Sequence, residues 1–490
     1  MKKFLSPKTF YLFILLFLIL RIPSLFEGFW YGDEGFYATQ AQAILDGKQL
    51  YVDAWDHKPP MMAWIYLIGG VFGWVKGLAI VKFLSIISGI VSIYLISKIL
   101  IRLKIRPIYQ YLSLFTTSIL LGSPIIEGNV ANAEVFFLPV TLAILYLSLF
   151  SRRPYLIGSL LTFTFFIKPQ AFIEGIAIIS LVGIVELIKQ RRGINKLYYL
   201  KIFLSFSILP VIFILFLHLT GALYSFIDAT IITNFLYVGE EDGSSTLNIY
   251  KLAVSAVLFG FMLYKLYHGK ITKKMFVLIN LLIVNIVLST LSGRPYPHYL
   301  IQLVPILIIL GAVLLEFGRM SLFKKILIMI VTVTVIILLF GKADNYRIVS
   351  QQRLSRNYYY YLDFAKFHLF GNENTNLWYW RGHQRFQSTL DLVDYYEANF
   401  NNEKYFYYGE QPWIYPQLGK NYSNKYLVWY HLIYSDDKMD RAITDIQDSQ
   451  VLIIDEKSRK KLPEIFNLIE SKFVKVHEIE NFMIYVKNES

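Results

Sequence analysis

Long apolar runs separated by short polar segments fill roughly the first 340 residues. Each run is near the length that a helix needs to cross a hydrocarbon core of about 30 Å. The pattern predicts membrane helices near 9–25, 78–100, 108–126, 134–150, 155–167, 171–188, 199–219, 249–267, 275–292, 300–317 and 326–341. From residue 342 onward the apolar stretches shorten and change period. KYFYYGE (404–410), KYLVWY (425–430) and QVLIIDE (450–456) read as strands, 458–473 as a helix and 473–487 as a hairpin. The expected fold is a polytopic α-helical membrane protein of about eleven helices, residues 1–341, followed by an α/β domain, 342–490. The basic, then apolar start resembles a signal peptide. No small-x-small cleavage site follows it, so it is expected to be an uncleaved first span.

One apolar run breaks the alternation. Met61 to Val75 is only fifteen residues long, follows Pro59-Pro60 and contains Gly69, Gly70 and Gly73. A run that short suits an interfacial helix better than a span. Residues 26–77 then become one long loop between the first two spans. Within it, 34–45 suits a short amphipathic helix with Phe36, Tyr37, Ala41 and Ile44 on one stripe. Gly47 is its stop, and Asp33 is placed to cap its N-terminus.

Charge orients the spans. With the N-terminus cytoplasmic, the inside segments carry 20 Lys and Arg and the outside segments carry 5. The 26–77 loop and the C-terminal domain are then extracytoplasmic. Twelve of the fifteen Asp and Glu before residue 342 also fall outside or at the outer edge. The tail from residue 342 has 19 basic and 20 acidic residues, so the net charge of +13 belongs to the membrane part. Anionic lipid headgroups account for that excess, and nucleic acid is not an expected partner. The mean hydropathy of +0.46 and 55% hydrophobic content fit the same class. The chain has no cysteine, which excludes disulfides and thiolate metal sites.

The outside segments hold the candidate chemistry. Asp33-Glu34 opens the long loop and Asp56-His57-Lys58-Pro59-Pro60 ends it. Glu127, Asn132 and Glu134 lie between the third and fourth spans, Lys168 follows the fifth, and Arg294 and His298 precede the tenth. For Lys168 a snorkelling role weighs equally, and for the Glu127–Glu134 group a solvated loop does.

The stretch GDEGFYATQAQAILDGKQLYVDAWDHKPPMMAWIY resembles the first extracytoplasmic loop of the polyprenyl-phosphate-sugar-dependent glycosyltransferases of GT-C fold. That superfamily includes protein O-mannosyltransferases and the lipid A aminoarabinose transferase. The matching features are the Asp-Glu pair, the alanine-rich helix ending in Asp-Gly, and Asp-x-Lys-Pro-Pro. SGRPYPHYLIQLVP (292–305) and YFYYGEQPWIYPQLGKNYSNKY (405–426) are similar as well.

The resemblance implies transfer of a hexose or pentose from a polyprenyl-phosphate donor to a lipid, protein or glycan acceptor on the outer face, with inversion. It implies Asp33 as general base with Glu34 orienting, and Lys58 on the donor phosphate. Lys168, Arg294 and His298 are further phosphate candidates, while His57, Glu127, Asn132 and Glu134 are candidates for sugar or acceptor. It implies no metal and no cofactor. Asp46, Asp53 and Asp56 do not have the spacing of a metal site. Trp378, Trp380, Trp413 and Tyr415 are available for stacking on sugars, with core packing as the commoner use. The polar segment 237–248 reads as a lid. A transporter or flippase of a lipid-linked glycan is the competing class, as is a non-catalytic scaffold that binds one. Transporters place ionisable groups near the membrane midplane and repeat their halves.

Overall fold

The computed structural model describes residues 7–189, 195–239, 244–292, 294, 296–317, 351–368, 370, 385–401, 403–419 and 421–488. Among these, eight helices are long and apolar enough to cross a membrane: Lys8–Phe26, Trp74–Arg102, Ala133–Phe150, Pro169–Ile188, Lys196–Leu219, Ile249–Tyr267, Lys273–Thr290 and Pro297–Glu316. They match eight expected spans. The expected spans 108–126 and 155–167 are shorter helices, Pro107–Gly122 and Pro154–Ile167, of 16 and 14 residues. The expected span 326–341 lies outside the described residues, as do Trp378 and Trp380, the core of the proposed lid at 240–243 and every side chain of 237–248. The run after Pro60 forms a helix only from Met61 to Gly70, too short to span.

Lys196–Leu219 shows why lipid is the solvent. Phe203, Leu204, Ile208, Ile212 and Phe216 are all exposed on this one helix. An apolar face of that extent is unfavourable in water and ordinary in hydrocarbon. The chain is a multi-pass membrane protein.

Two compact units partition the chain. The first comprises Met1–Ser24, Lys82–Phe213 and Tyr237–Tyr359, and the second comprises Leu25–Val81, Ile214–Leu236 and Tyr360–Ser490. Most of the long loop after the first span therefore shares a unit with the C-terminal sequence.

The second unit is built on a four-stranded sheet. Its strands are β1 (Tyr405–Tyr408), β2 (Val451–Asp455), β3 (Phe473–Ile479) and β4 (Phe482–Lys487), in the order β1-β2-β4-β3. β1 and β2 pair in parallel, with Tyr405 opposite Val451, and the β3–β4 hairpin pairs antiparallel. β1 and β2 are buried along their whole length, which explains their unbroken apolar runs.

The expected strand at 425–430 does not form. Asn424 donates to the Tyr407 carbonyl and accepts from its N–H, both at 2.8 Å, so a side chain satisfies the outer edge of β1 at Tyr407. The chain then turns into a 3-10 helix, Trp429–Tyr434. Tyr405, Tyr407, Tyr415, Ile453 and Ile484 share the core of this sheet with Phe36 from the first loop. Tyr415 is therefore core, and its hydroxyl donates to the Leu427 carbonyl at 2.8 Å. It has no exposed face for stacking on a sugar.

The first-loop helix runs from Gly32 to Leu45 and is buried from Glu34 through Ala41. This differs from the expected single stripe because neighbours pack on more than one side. Tyr37 meets Tyr66 of the Met61–Gly70 helix at 5.4 Å. On another side, a Cβ at Gly35 would stand 2.8 Å from Trp413. Thr39 donates to the carbonyls of Gly35 and Pro412, which satisfies its buried hydroxyl.

Candidate active site

Each unit contains a cluster of the candidate residues. In the second unit the helix begins after Tyr31, the N-cap residue, whose side chain makes no capping bond. Asp33 thus lies inside the first turn instead of capping it, where a carboxylate still meets the positive end of the helix dipole. Its side chain is 28% exposed. Glu34, one residue on, is fully buried.

At the other end of the helix Gly47 takes φ +74°, and the Lys48 N–H returns to the Ala43 carbonyl. The loop folds back through Tyr51, whose hydroxyl donates to the Lys58 carbonyl at 3.0 Å. Trp55 anchors it: the backbone N–H donates to the Lys425 carbonyl at 2.9 Å, and the indole N–H donates to Asp228 at 3.0 Å. Asn234 donates to the His57 carbonyl at 2.8 Å. Lys438 lies 3.4 Å from Asp228 and 4.1 Å from the Trp55 ring centre. Three distant segments, holding Asp228 with Asn234, Lys425 and Lys438, therefore fix Asp56-His57-Lys58.

The Lys58 ammonium donates to both oxygens of fully buried Asp56, at 3.2 and 3.3 Å, and lies 3.6 Å from Asp33 Oδ1. The Phe36 ring centre is 4.2 Å away. Burial alone would raise the Asp56 carboxyl, but Lys58, His57 and His431 outweigh it and hold the group below the usual carboxylate range. His57 is pushed down by burial and by Lys58, against the opposing pull of Asp56. His431 is pushed well down by burial, with His57, Lys58 and Lys438 adding to the effect and Asp56 opposing it.

Both imidazoles are thus pushed toward the neutral form beside one cation and two carboxylates. His431 packs edge-on to Trp55 at 4.8 Å, and neither ring nitrogen has a hydrogen-bond partner among the described residues. Asp56, His57 and His431 offer ligand atoms within 4.8 Å of one another and are the residues able to hold a cation. Here the Lys58 ammonium already meets the charge of Asp56.

The first unit gathers Glu127, Asn132, Glu134, Lys168 and His298. Glu127 sits at φ +59° after a 3-10 turn and accepts from His298 Nδ1 at 2.8 Å. Lys168 pairs closely with Glu134 in the first turn of the Ala133–Phe150 helix, and it lies 4.8 Å from the Tyr299 ring centre. Asn132 caps that helix, accepting from the Ala133 N–H at 2.7 Å. Arg294 is half-buried, and its backbone N–H donates to Ser292 at 3.3 Å.

Sequence reasoning missed several partners. Asp228, His431 and Lys438 join the second-unit cluster from segments with no motif of their own. In the first unit, buried Arg21 bonds to the Gly128 carbonyl and to Ser85, and Lys82 donates to the Asn129 carbonyl at 3.4 Å. Glu174 accepts from Asn285 at 3.0 Å and from Gln302 at 2.9 Å. Ionisable residues within apolar runs were the available signal for these.

No family model matches the chain, and no curated protein matches it. The solved structure of ArnT from Cupriavidus metallidurans in the apo state is similar over 97% of this chain and 97% of its own, at 14% identity and a TM-score of 0.45.

Proposed function

We propose that the protein is a membrane glycosyltransferase of GT-C type. It moves a sugar from a polyprenyl-phosphate donor to an acceptor hydroxyl on the outer face of the membrane, with inversion at the anomeric carbon. The observation that carries this reading is the Lys58 ammonium, held by a buried carboxylate on one side and facing the part-exposed Asp33 on the other. In the reaction Asp33 takes the acceptor proton as the hydroxyl oxygen attacks the anomeric carbon. The bond from that carbon to the phosphate oxygen breaks, and the electron pair leaves with the lipid phosphate. Charge growing on the phosphate is met by Lys58, whose ammonium is already desolvated and fixed. Asp56 holds the Lys58 ammonium in place. Buried Glu34 acts by orienting its neighbours.

Lys168, Arg294 and His298 are assigned to the donor phosphate, and His57, Glu127, Asn132 and Glu134 to sugar or acceptor hydroxyls. The Lys and Arg asymmetry supports a cytoplasmic N-terminus, with residues 342–490 outside. The test is a panel of polyprenyl-phosphate sugars offered to membranes containing the protein. Release of polyprenyl phosphate from one donor names the sugar, whereas release from none, with no donor binding, contradicts the reading. Buried Glu174, bonded to Asn285 and Gln302, is what a transport reading would draw upon. Movement of an intact lipid-linked glycan that stops in Glu174→Ala would favour that alternative.

A further inference from the structure

A cavity of about 130 Å³ in the second unit is lined by Phe29, Trp30, Gly32, Glu410, Gln411 and Trp413, with Pro412 completing the wall. Its aromatic side is rigid. The Trp413 indole N–H donates to the Tyr31 carbonyl at 2.9 Å, its ring meets Phe29 at 4.8 Å, and bare Gly35 packs against it. Trp30 is tied to Glu27 through its indole N–H at 3.1 Å.

The polar side is equally defined. One Glu410 oxygen accepts from the Trp429 indole at 2.8 Å, and the other oxygen has no partner among the described residues. Gln411 uses its backbone N–H on the Tyr407 hydroxyl at 2.9 Å and its side-chain oxygen on Thr389 at 3.1 Å. Its amide N–H groups are left as donors.

We propose that this cavity binds one pyranose ring of a glycan acceptor. An apolar wall with a few convergent polar groups is the composition of a small-molecule site, and the volume lies well below the ~300–1,000 Å³ of drug-sized ligands, enough for one ring. The C–H face of a pyranose covers the indoles. A carboxylate oxygen beside an amide donor matches neighbouring hydroxyls, one donating and the next accepting. An ammonium ligand fits less well, because Gln411, which brings donors, lines the same cavity. Gly32 lines the cavity and directly precedes Asp33, so a ring held here lies beside the proposed base. The inference rests on the transferase reading for the word acceptor, but not for the binding itself.

The experiment uses the full chain in lipid nanodiscs, with saturation-transfer NMR and titration of methyl glucopyranosides, mannopyranosides and galactopyranosides. Tetramethylammonium is the competing probe. Gly32→Leu is the plug, since a Cβ at Gly32 meets no atom within 4 Å, and Glu410→Ala removes the acceptor. The expected result is glycoside binding by the wild type, weakened at least tenfold in each variant with thermal midpoints retained. Binding that Gly32→Leu leaves intact, binding of tetramethylammonium alone, or no binding of any probe would overturn the proposal. Failure of the transferase reading looks different: glycosides bind and the plug blocks them, yet no polyprenyl phosphate is ever released.

Discussion

The two clusters solve the problem of charge near a membrane in different ways. In the first unit Lys168 pairs with Glu134, and His298 bonds to Glu127. In the second unit one ammonium serves two carboxylates, fully buried Asp56 and part-exposed Asp33. Of the two carboxylates beside Lys58, Asp33 is the one in reach of solvent, at 28% exposure. On the proposed mechanism the second cluster is the one that transfers the proton, and the contrast with the first rests on burial and distance.

The largest effect expected is on turnover. Asp33→Asn should lower sugar transfer by roughly 10²–10⁴-fold, the usual contribution of a general base, with the thermal midpoint almost unchanged. If Glu127→Gln lowers transfer as much as Asp33→Asn does, the distinction between the clusters collapses. Next comes stability. Asp56→Ala removes the buried partner of Lys58, leaving Asp33 at 3.6 Å, and should cost up to about 3–5 kcal/mol in denaturant unfolding. Asp56→Ala with Lys58→Met removes both charges and should recover much of that loss, and no recovery would mean that the pair is not coupled. Glu127→Gln weakens one charged hydrogen bond and should cost a smaller ~1.5–3 kcal/mol.

The smallest effect is a slope. His57 and His431 have folded-state values pushed below the ordinary 6.5, so the unfolded chain binds more protons in that range. Their contribution is full above about pH 6.5 and is lost as the pH falls toward their folded values. Asp56, also depressed, adds its loss at still lower pH, below the usual carboxylate range. Thermal midpoints measured from pH 7.5 to 5 should therefore fall, and His431→Gln should flatten the fall. An unchanged slope would place His431 outside the coupled group.

Much of this was legible in the chain because it is local. Gly32–Leu45 announces itself through alanines, a following Gly47 and apolar spacing, and the apolar runs mark the spans by length alone. The Asp-x-Lys-Pro-Pro run brings its own ion pair, since Asp56 and Lys58 are two residues apart. What stayed hidden depends on contacts across long sequence distances. Asp56 lies 3.9 Å from His431, and Trp55 beside it bonds to Lys425, while Phe36 enters a core whose other members begin near residue 392. The 425–430 stretch has the composition of a strand, and no local rule says that the Asn424 side chain will take the hydrogen bonds its neighbour needed. Asp33 looked like a cap because it precedes an apolar helix. The helix instead starts two residues earlier, at Gly32, which places the carboxylate inside the first turn and 3.6 Å from Lys58.

The most direct test of the central claim is polyprenyl phosphate release by wild type and Asp33→Asn, measured with donor binding on the same membranes. The variant is expected to bind donor with unchanged affinity and to release polyprenyl phosphate at least a hundredfold more slowly. Equal release by both proteins would show that Asp33 is not the base.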